Sequence, residues 1–172
     1  MAIDKLTTGI PGFDTLTHGG VPVGRTTLVV GRSGTGKTIV GLQLAAHFAK
    51  QGLPTLVLAV EETADDLLST ADSLGLDLAA LRDEGSLFLS DLSRPIDGPT
   101  VVSGDYDLFG LVHRLEAAVA ERNVRAVVID SATALFSPRP PEEQLRNHFF
   151  QLVHTLRRLG VTGVILTKLD GD

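Results

Sequence analysis

The sequence predicts a three-layer α/β domain, a mainly parallel sheet with helices on both faces. Three observations predict it. Short β-branched and apolar runs at residues 26–30, 55–60, 124–129 and 161–166 read as buried strands. Longer segments of helical periodicity stand between them, and strands alternating with helices imply parallel β-α-β units. The 172 residues, 43% hydrophobic and 21% charged, fit one domain over 1–172 that buries a sizeable core without staples.

Residues 1–24 are rich in Gly, Thr and Pro and read as an irregular N-terminal segment. A Gly-rich turn follows the first strand, and then a helix over 38–50. Its apolar set Ile39, Leu42, Ala46 and Phe48 is roughly periodic, and Gln51-Gly52-Leu53-Pro54 stops it. After the second strand, Thr63 is placed to cap a helix bearing Leu67, Leu68, Ala71 and Leu74, with Gly75 as its stop. Residues 78–82 read as a further helical turn or two, 86–89 as a short strand and 94–105 as a loop. Asp107 caps a helix with Leu108, Leu111, Val112, Leu115 and Val119 on one stripe. Beyond the third strand, 138–141 is a stiff turn, and Pro141 suits the first position of a helix. That helix carries Leu145, Phe149, Leu152, Val153 and Leu156 and ends at Gly160, ahead of the last strand.

Composition excludes several classes. A net charge of −6 argues against a broad electrostatic footprint for nucleic acid. Cysteine is absent, so disulfides and thiolate metal sites are too, which suits a reducing compartment. The five histidines form no metal-ligand spacing. The N-terminus lacks the apolar stretch of a signal peptide, and no apolar run is long enough to cross a bilayer. The expectation is a soluble, cytoplasmic protein with neither a membrane nor a nucleic acid as partner.

Gly31-Arg32-Ser33-Gly34-Thr35-Gly36-Lys37-Thr38 matches the phosphate-cradling pattern G-x-x-x-x-G-K-[ST] without a gap, between a strand and a helix as that pattern requires. Glycines let backbone N–H groups curl around a phosphate without Cβ clashes. The helix that begins there points its partial positive charge at the same anion. Gly31, Ser33, Gly34, Thr35, Gly36, Lys37 and Thr38 are the candidate nucleotide-binding residues. Lys37 supplies a point charge for the β- and γ-phosphates and Thr38 an oxygen for Mg2+.

Two acidic positions complete the candidate set. Val127-Val128-Ile129-Asp130 ends a strand with an acid, the position that holds Mg2+ through water in phosphate-cradle enzymes; Ser131 follows as an auxiliary hydrogen-bonding group. Glu61 and Glu62 end the strand 55–60, at the carboxyl edge where open α/β sheets place ligands. A carboxylate there is suited to orient and deprotonate an attacking water, and its neighbour raises its pKa by repulsion. A solvated acidic turn before a capped helix accounts for the same residues.

The stretch His18-Gly19-Gly20-Val21-Pro22-Val23-Gly24-Arg25-Thr26-Thr27-Leu28-Val29 resembles the segment ahead of the cradle in KaiC-like ATPases of the RecA superfamily, above all their first ATPase half. Glu61-Glu62-Thr63, Asp77-Leu78, Asp83-Glu84-Gly85, Ile129-Asp130-Ser131 and Leu156-Arg157-Arg158-Leu159-Gly160 fall where that family has similar words. The likeness runs over 8–167. It implies a RecA-like ATPase core with Asp130 as the Walker B acid and Glu61 and Glu62 as the catalytic pair. It implies that the last strand lies between the cradle strand and the Asp130 strand, with the Glu61 strand outside the latter. It also implies a homo-hexameric ring with ATP between subunits, and further strands beyond residue 172. Without those strands, the cradle strand presents an open edge.

The chain departs from the family at Lys168, where an acid is usual. Thr167-Lys168-Leu169-Asp170 instead resembles the guanine-reading T-K-x-D motif of signal-recognition-particle GTPases.

The expected activity is Mg2+-dependent ATP binding and slow hydrolysis to ADP, with Lys37 on the phosphates and Glu62 or Glu61 activating water. It is slow because no intrachain arginine finger is evident. The competing readings are a nucleotide-binding module without appreciable turnover and a GTP-binding protein.

Overall fold

A computed structural model of the chain describes residues 3–92, 108–136 and 141–168. The chain opens with β1 (Lys5–Leu6), α1 (Pro11–Leu16) and β2 (Val21–Pro22), and the two strands pair antiparallel. This corrects the expectation of an irregular segment over 1–24. Two-residue strands are too short to carry an alternating pattern, and α1 is a six-residue helix. It is secured by Asp14, whose carboxylate accepts from the Thr8 amide at 2.9 Å and the Thr8 hydroxyl at 2.7 Å.

The remaining elements are β3 (Thr26–Gly31), α2 (Lys37–Lys50), β4 (Thr55–Ala59), α3 (Ala64–Ser73), α4 (Leu78–Asp83), β5 (Leu87–Asp91), α5 (Leu108–Arg122), β6 (Ala126–Asp130), α6 (Ala132–Leu135), α7 (Glu142–Arg158) and β7 (Thr162–Lys168). Five strands form one parallel sheet in the order β3-β7-β6-β4-β5. The last strand thus lies between the cradle strand and the Asp130 strand, with the Glu61 strand outside it, as the resemblance implies. Among the described residues, β3 and β5 are the sheet's edges.

Alternate residues of each strand point to opposite faces. Val57, Ala59, Val128, Val164 and Leu166 pack with Leu42, Phe48, Leu67 and Leu78 of α2, α3 and α4. Leu56, Leu58, Val127, Ile129 and Ile165 pack with Leu111, Leu115, Leu135, Leu152 and Leu156 of α5, α6 and α7. Helices cover both faces, so the central strands are apolar at successive positions, the signature of buried parallel strands.

Local signals mark the helix ends. The Thr63 hydroxyl accepts from the Asp66 amide at 3.1 Å while the Asp66 carboxylate accepts from the Thr63 amide at 3.4 Å, a reciprocal cap on α3. Gly75, at φ +69°, follows the helix in the left-handed region. Asp77 caps α4 through the Ala80 amide at 3.3 Å. Pro141 is the residue flanking α7 rather than its first helical residue, and its carbonyl accepts the first ladder bond, from Leu145. Its extended ψ of 147° belongs to a residue just outside a helix. The loop expected over 94–105, the cap at Asp107, the turn over 138–140 and Leu169 to Asp172 lie outside the described residues.

Gly41 fixes how closely α2 rests on the sheet. A Cβ there would stand 2.7 Å from Leu166 Cδ1 and 3.3 Å from Val128 Cγ1, both in the close-packed core. Gly41→Val is expected to destabilise the chain by about 1–3 kcal/mol through overpacking. The measurement is a urea titration, in which the midpoint falls while the slope is kept.

Candidate functional site

The carboxyl ends of β3, β7, β6 and β4 meet at one rim of the sheet. Register sets their heights: Val29, Leu166, Asp130 and Ala59 are level, and Gly31 pairs with Lys168 two residues further out. The chain leaves β3 toward α2 on one face and leaves β6 toward α6 on the other. Such a divergence opens a crevice outside the strand ends.

The cradle folds as its residue types require. Gly34 and Gly36 take φ of +78° and +85°, a region that side chains disfavour. The turn closes on the Arg32 carbonyl, which accepts from the Thr35 hydroxyl at 2.8 Å and from the Lys37 ammonium at 2.6 Å. Helix α2 follows Gly36 with no side-chain cap and no acidic residue in its first turn, whereas α3, α4 and α6 carry capping side chains. The first-turn N–H groups of α2 therefore face outward without a fixed acceptor, a ready anion site.

A cavity of about 350 Å³ lies against this helix end. It brings together Ser33, Gly34, Gly36, Lys37, Thr38, Glu61, Glu62 and Asp130 from the sequence-derived set. Gly31 and Thr35 do not line it. They shape the turn instead, since a Cβ on Gly31 would meet Thr35 Oγ1 at 2.7 Å. Ser131 lines it, and so do Ile39, Thr70 and Lys168, whose place there sequence reasoning missed. For Lys168 a signal was present: it stands two residues past the strand 161–166 expected beside the cradle strand, and the structure extends that strand to Lys168.

The acids are held by the backbone around them. The Asp130 carbonyl accepts from the amides of Val60 at 2.8 Å and Glu61 at 3.4 Å, which ties the end of β4 to that of β6. The Asp130–Ser131 peptide is cis. Ser131 donates to Glu61 Oε2 at 3.2 Å, and the Lys168 ammonium pairs with Glu61 Oε1.

Burial pushes the Asp130 carboxyl above its ordinary range, opposed by a hydrogen bond from Thr38 and reinforced by the charge of Glu61. Glu62 is also raised, by burial first and then by Asp130, Asp66 and Glu61. These shifts mark groups that lack a sufficient counter-charge. Mg2+ takes few protein ligands and fills its shell with phosphate oxygens and water. The paired oxygens of Thr38 and Asp130 fit that demand. Among the described residues, no group of three or more His, Cys, Asp or Glu stands together as a protein-only metal cage.

A raised carboxyl pKa has a definite linkage sign. The folded chain holds the Glu62 proton more tightly than the unfolded chain, so stability falls as pH rises from the ordinary value of 4.5 through the folded one. Glu62→Gln removes that penalty. It is expected to raise the thermal midpoint of the ligand-free chain at pH 8 and to change it little at pH 4; a lower midpoint at pH 8 refutes the sign.

A sequence model of the family described as "ATPase: KaiC" matches residues 6–171. The circadian clock oscillator protein KaiC of Rippkaea orientalis (strain PCC 8801 / RF-1) is 42% identical over 167 residues, covering 96% of this chain and 32% of that protein. KaiC of Synechococcus elongatus (strain ATCC 33912 / PCC 7942 / FACHB-805) is 41% identical over 172 residues, covering 97% and 32%. KaiC of Prochlorococcus marinus (strain MIT 9313) is 38% identical over 173 residues, covering 98% and 34%. The chain spans about a third of the length of these relatives.

Proposed function

The chain belongs to the KaiC ATPase family, and from that premise we propose that it binds Mg·ATP at the cradle and hydrolyses it slowly to ADP. The observation that carries this reading is the convergence of Lys37, Thr38, Asp130, Glu61 and Glu62 on one cavity at the N-terminus of α2. The outward N–H groups of α2 and the Lys37 ammonium hold the β- and γ-phosphates. Thr38 and Asp130 hold Mg2+, which when bound neutralises charge on the phosphate oxygens.

Glu61 or Glu62 takes the proton of the attacking water. Both sit beside Asp130, and the raised Glu62 carboxyl is a stronger base than an ordinary carboxylate. The cytoplasmic location and the ring assembly implied by the resemblance belong to the same proposal. No helix among the described residues is long and apolar enough to cross a membrane.

The test is phosphate release from Mg·ATP by the purified chain. Slow release supports the reading. Binding without release assigns the chain instead as a nucleotide-binding module. Competition with GTP tests the guanine alternative. Asp170 of that motif lies outside the described residues, and Lys168 is engaged with Glu61 at the Mg2+ end of the cavity, which gives base reading no support.

A further inference from the structure

Lys168 is a second cation in the cavity, beside Lys37. Its place follows from topology. Strand β7 lies between β3 and β6, so its outer end projects between the cradle and Asp130. Lys168 pairs in register with Gly31, the first cradle residue, and lies two positions beyond Leu166, which is level with Asp130. A triphosphate seated on the N-terminus of α2, with Thr38 and Asp130 holding its metal, would bring its terminal phosphate toward that space.

The strand end is anchored through its backbone, while the side chain rests in a partly exposed ion pair. The Lys168 amide donates to Thr133 Oγ1 at 2.9 Å, and the Thr133 and Thr167 hydroxyls are 3.1 Å apart. The ammonium rests on Glu61, with side-chain exposures of 32% for Lys168 and 40% for Glu61. A partly exposed pair of this kind is weak and exchanges readily.

Charge gives the direction of the exchange. Three carboxylates line the cavity, Glu61, Glu62 and Asp130, against two cations, Lys37 and Lys168. Both cations rest on internal acceptors, Lys37 on the Arg32 carbonyl and Lys168 on the Glu61 carboxylate. An arriving polyphosphate offers each a more highly charged acceptor. Without Lys168, Lys37 alone among these side chains offsets the repulsion between three carboxylates and the terminal phosphate.

We propose that Lys168 is a nucleotide-binding residue that moves from Glu61 to the terminal phosphate of a bound nucleoside triphosphate. Resting on the ATP-binding reading above, this makes Lys168 an intrachain source of preference for triphosphate over diphosphate. It also frees the Glu61 carboxylate only when a terminal phosphate is present.

The test is calorimetric titration of the parent chain, Lys168→Ala, Lys168→Gln and Lys168→Arg with ATP and with ADP at fixed Mg2+. Loss of one charge-assisted contact is expected to weaken ATP binding by about ten- to a hundred-fold in the Ala and Gln variants. ADP binding is expected to hold within about two-fold and the Arg variant to retain most ATP affinity. Equal loss for both nucleotides, or no loss for either, overturns the proposal and leaves Lys168 as a holder of Glu61. Gln keeps the length of the stem, so a folding defect confined to Ala does not obscure the outcome. A parent chain that binds neither nucleotide overturns the ATP-binding reading and this inference with it, and that result is visible before any variant is compared.

Discussion

Lys37→Ala is expected to weaken Mg·ATP binding by about a hundred-fold or more while leaving the fold intact. The Lys37 ammonium makes its intramolecular contacts inside its own loop, to the Arg32 carbonyl at 2.6 Å and Thr35 Oγ1 at 3.5 Å, so its removal opens no core. In the proposed complex the same group would meet two phosphates, and charge-assisted hydrogen bonds contribute about 1.5–3 kcal/mol each. Binding stabilises the folded chain by about 2.7 kcal/mol when ligand stands at a hundred times Kd. For a domain of this size that is a rise of about 5–10 °C in the thermal midpoint. Thermal unfolding with and without Mg·ATP reads it directly. The parent chain shifts and the variant does not, with ligand-free midpoints close together. A variant that still shifts fully refutes the cradle as the binding site.

The second large effect falls on rate rather than affinity. The double variant Glu61→Gln, Glu62→Gln is expected to lower phosphate release by about a hundred- to ten-thousand-fold, the range associated with a positioned general base. Binding is expected to survive. Gln keeps the length of Glu and an oxygen able to accept from Ser131, which donates to Glu61 at 3.2 Å in the parent. Removing two negative charges from a cavity that also holds Asp130 reduces repulsion toward a polyanion, so ATP affinity is expected to hold or rise. Single-turnover release with bound ATP separates the two effects. Undiminished release refutes the assignment of the glutamates, whereas lost binding makes them structural supports of the cavity.

These outcomes complement those expected at Lys168. Loss at Lys37 is expected to touch ADP and ATP together, through the β-phosphate, whereas loss at Lys168 is expected to fall on ATP. Substitution of the glutamate pair is expected to fall on the chemical step.

The sequence by itself determined the features written within a few residues of one another. The cradle between strand and helix, the Thr63 cap and the buried character of the central strands are settled by backbone dihedrals, capping bonds and residue type. The short N-terminal strands escaped it, because two residues carry no period and their pairing, Leu6 with Val21, joins segments on either side of α1. The position of Pro141 just outside α7 differs by one residue, the scale at which helix ends are decided by the cap itself.

Only the tertiary structure decided which side chains share the cavity. Glu61 and Lys168 are 107 residues apart and meet because β7 inserts between β3 and β6. No local pattern specifies that insertion. It results from closing a parallel sheet with apolar helices on both faces, a non-local arrangement whose register alone brings Gly31, Lys168, Asp130 and the end of β4 to one rim.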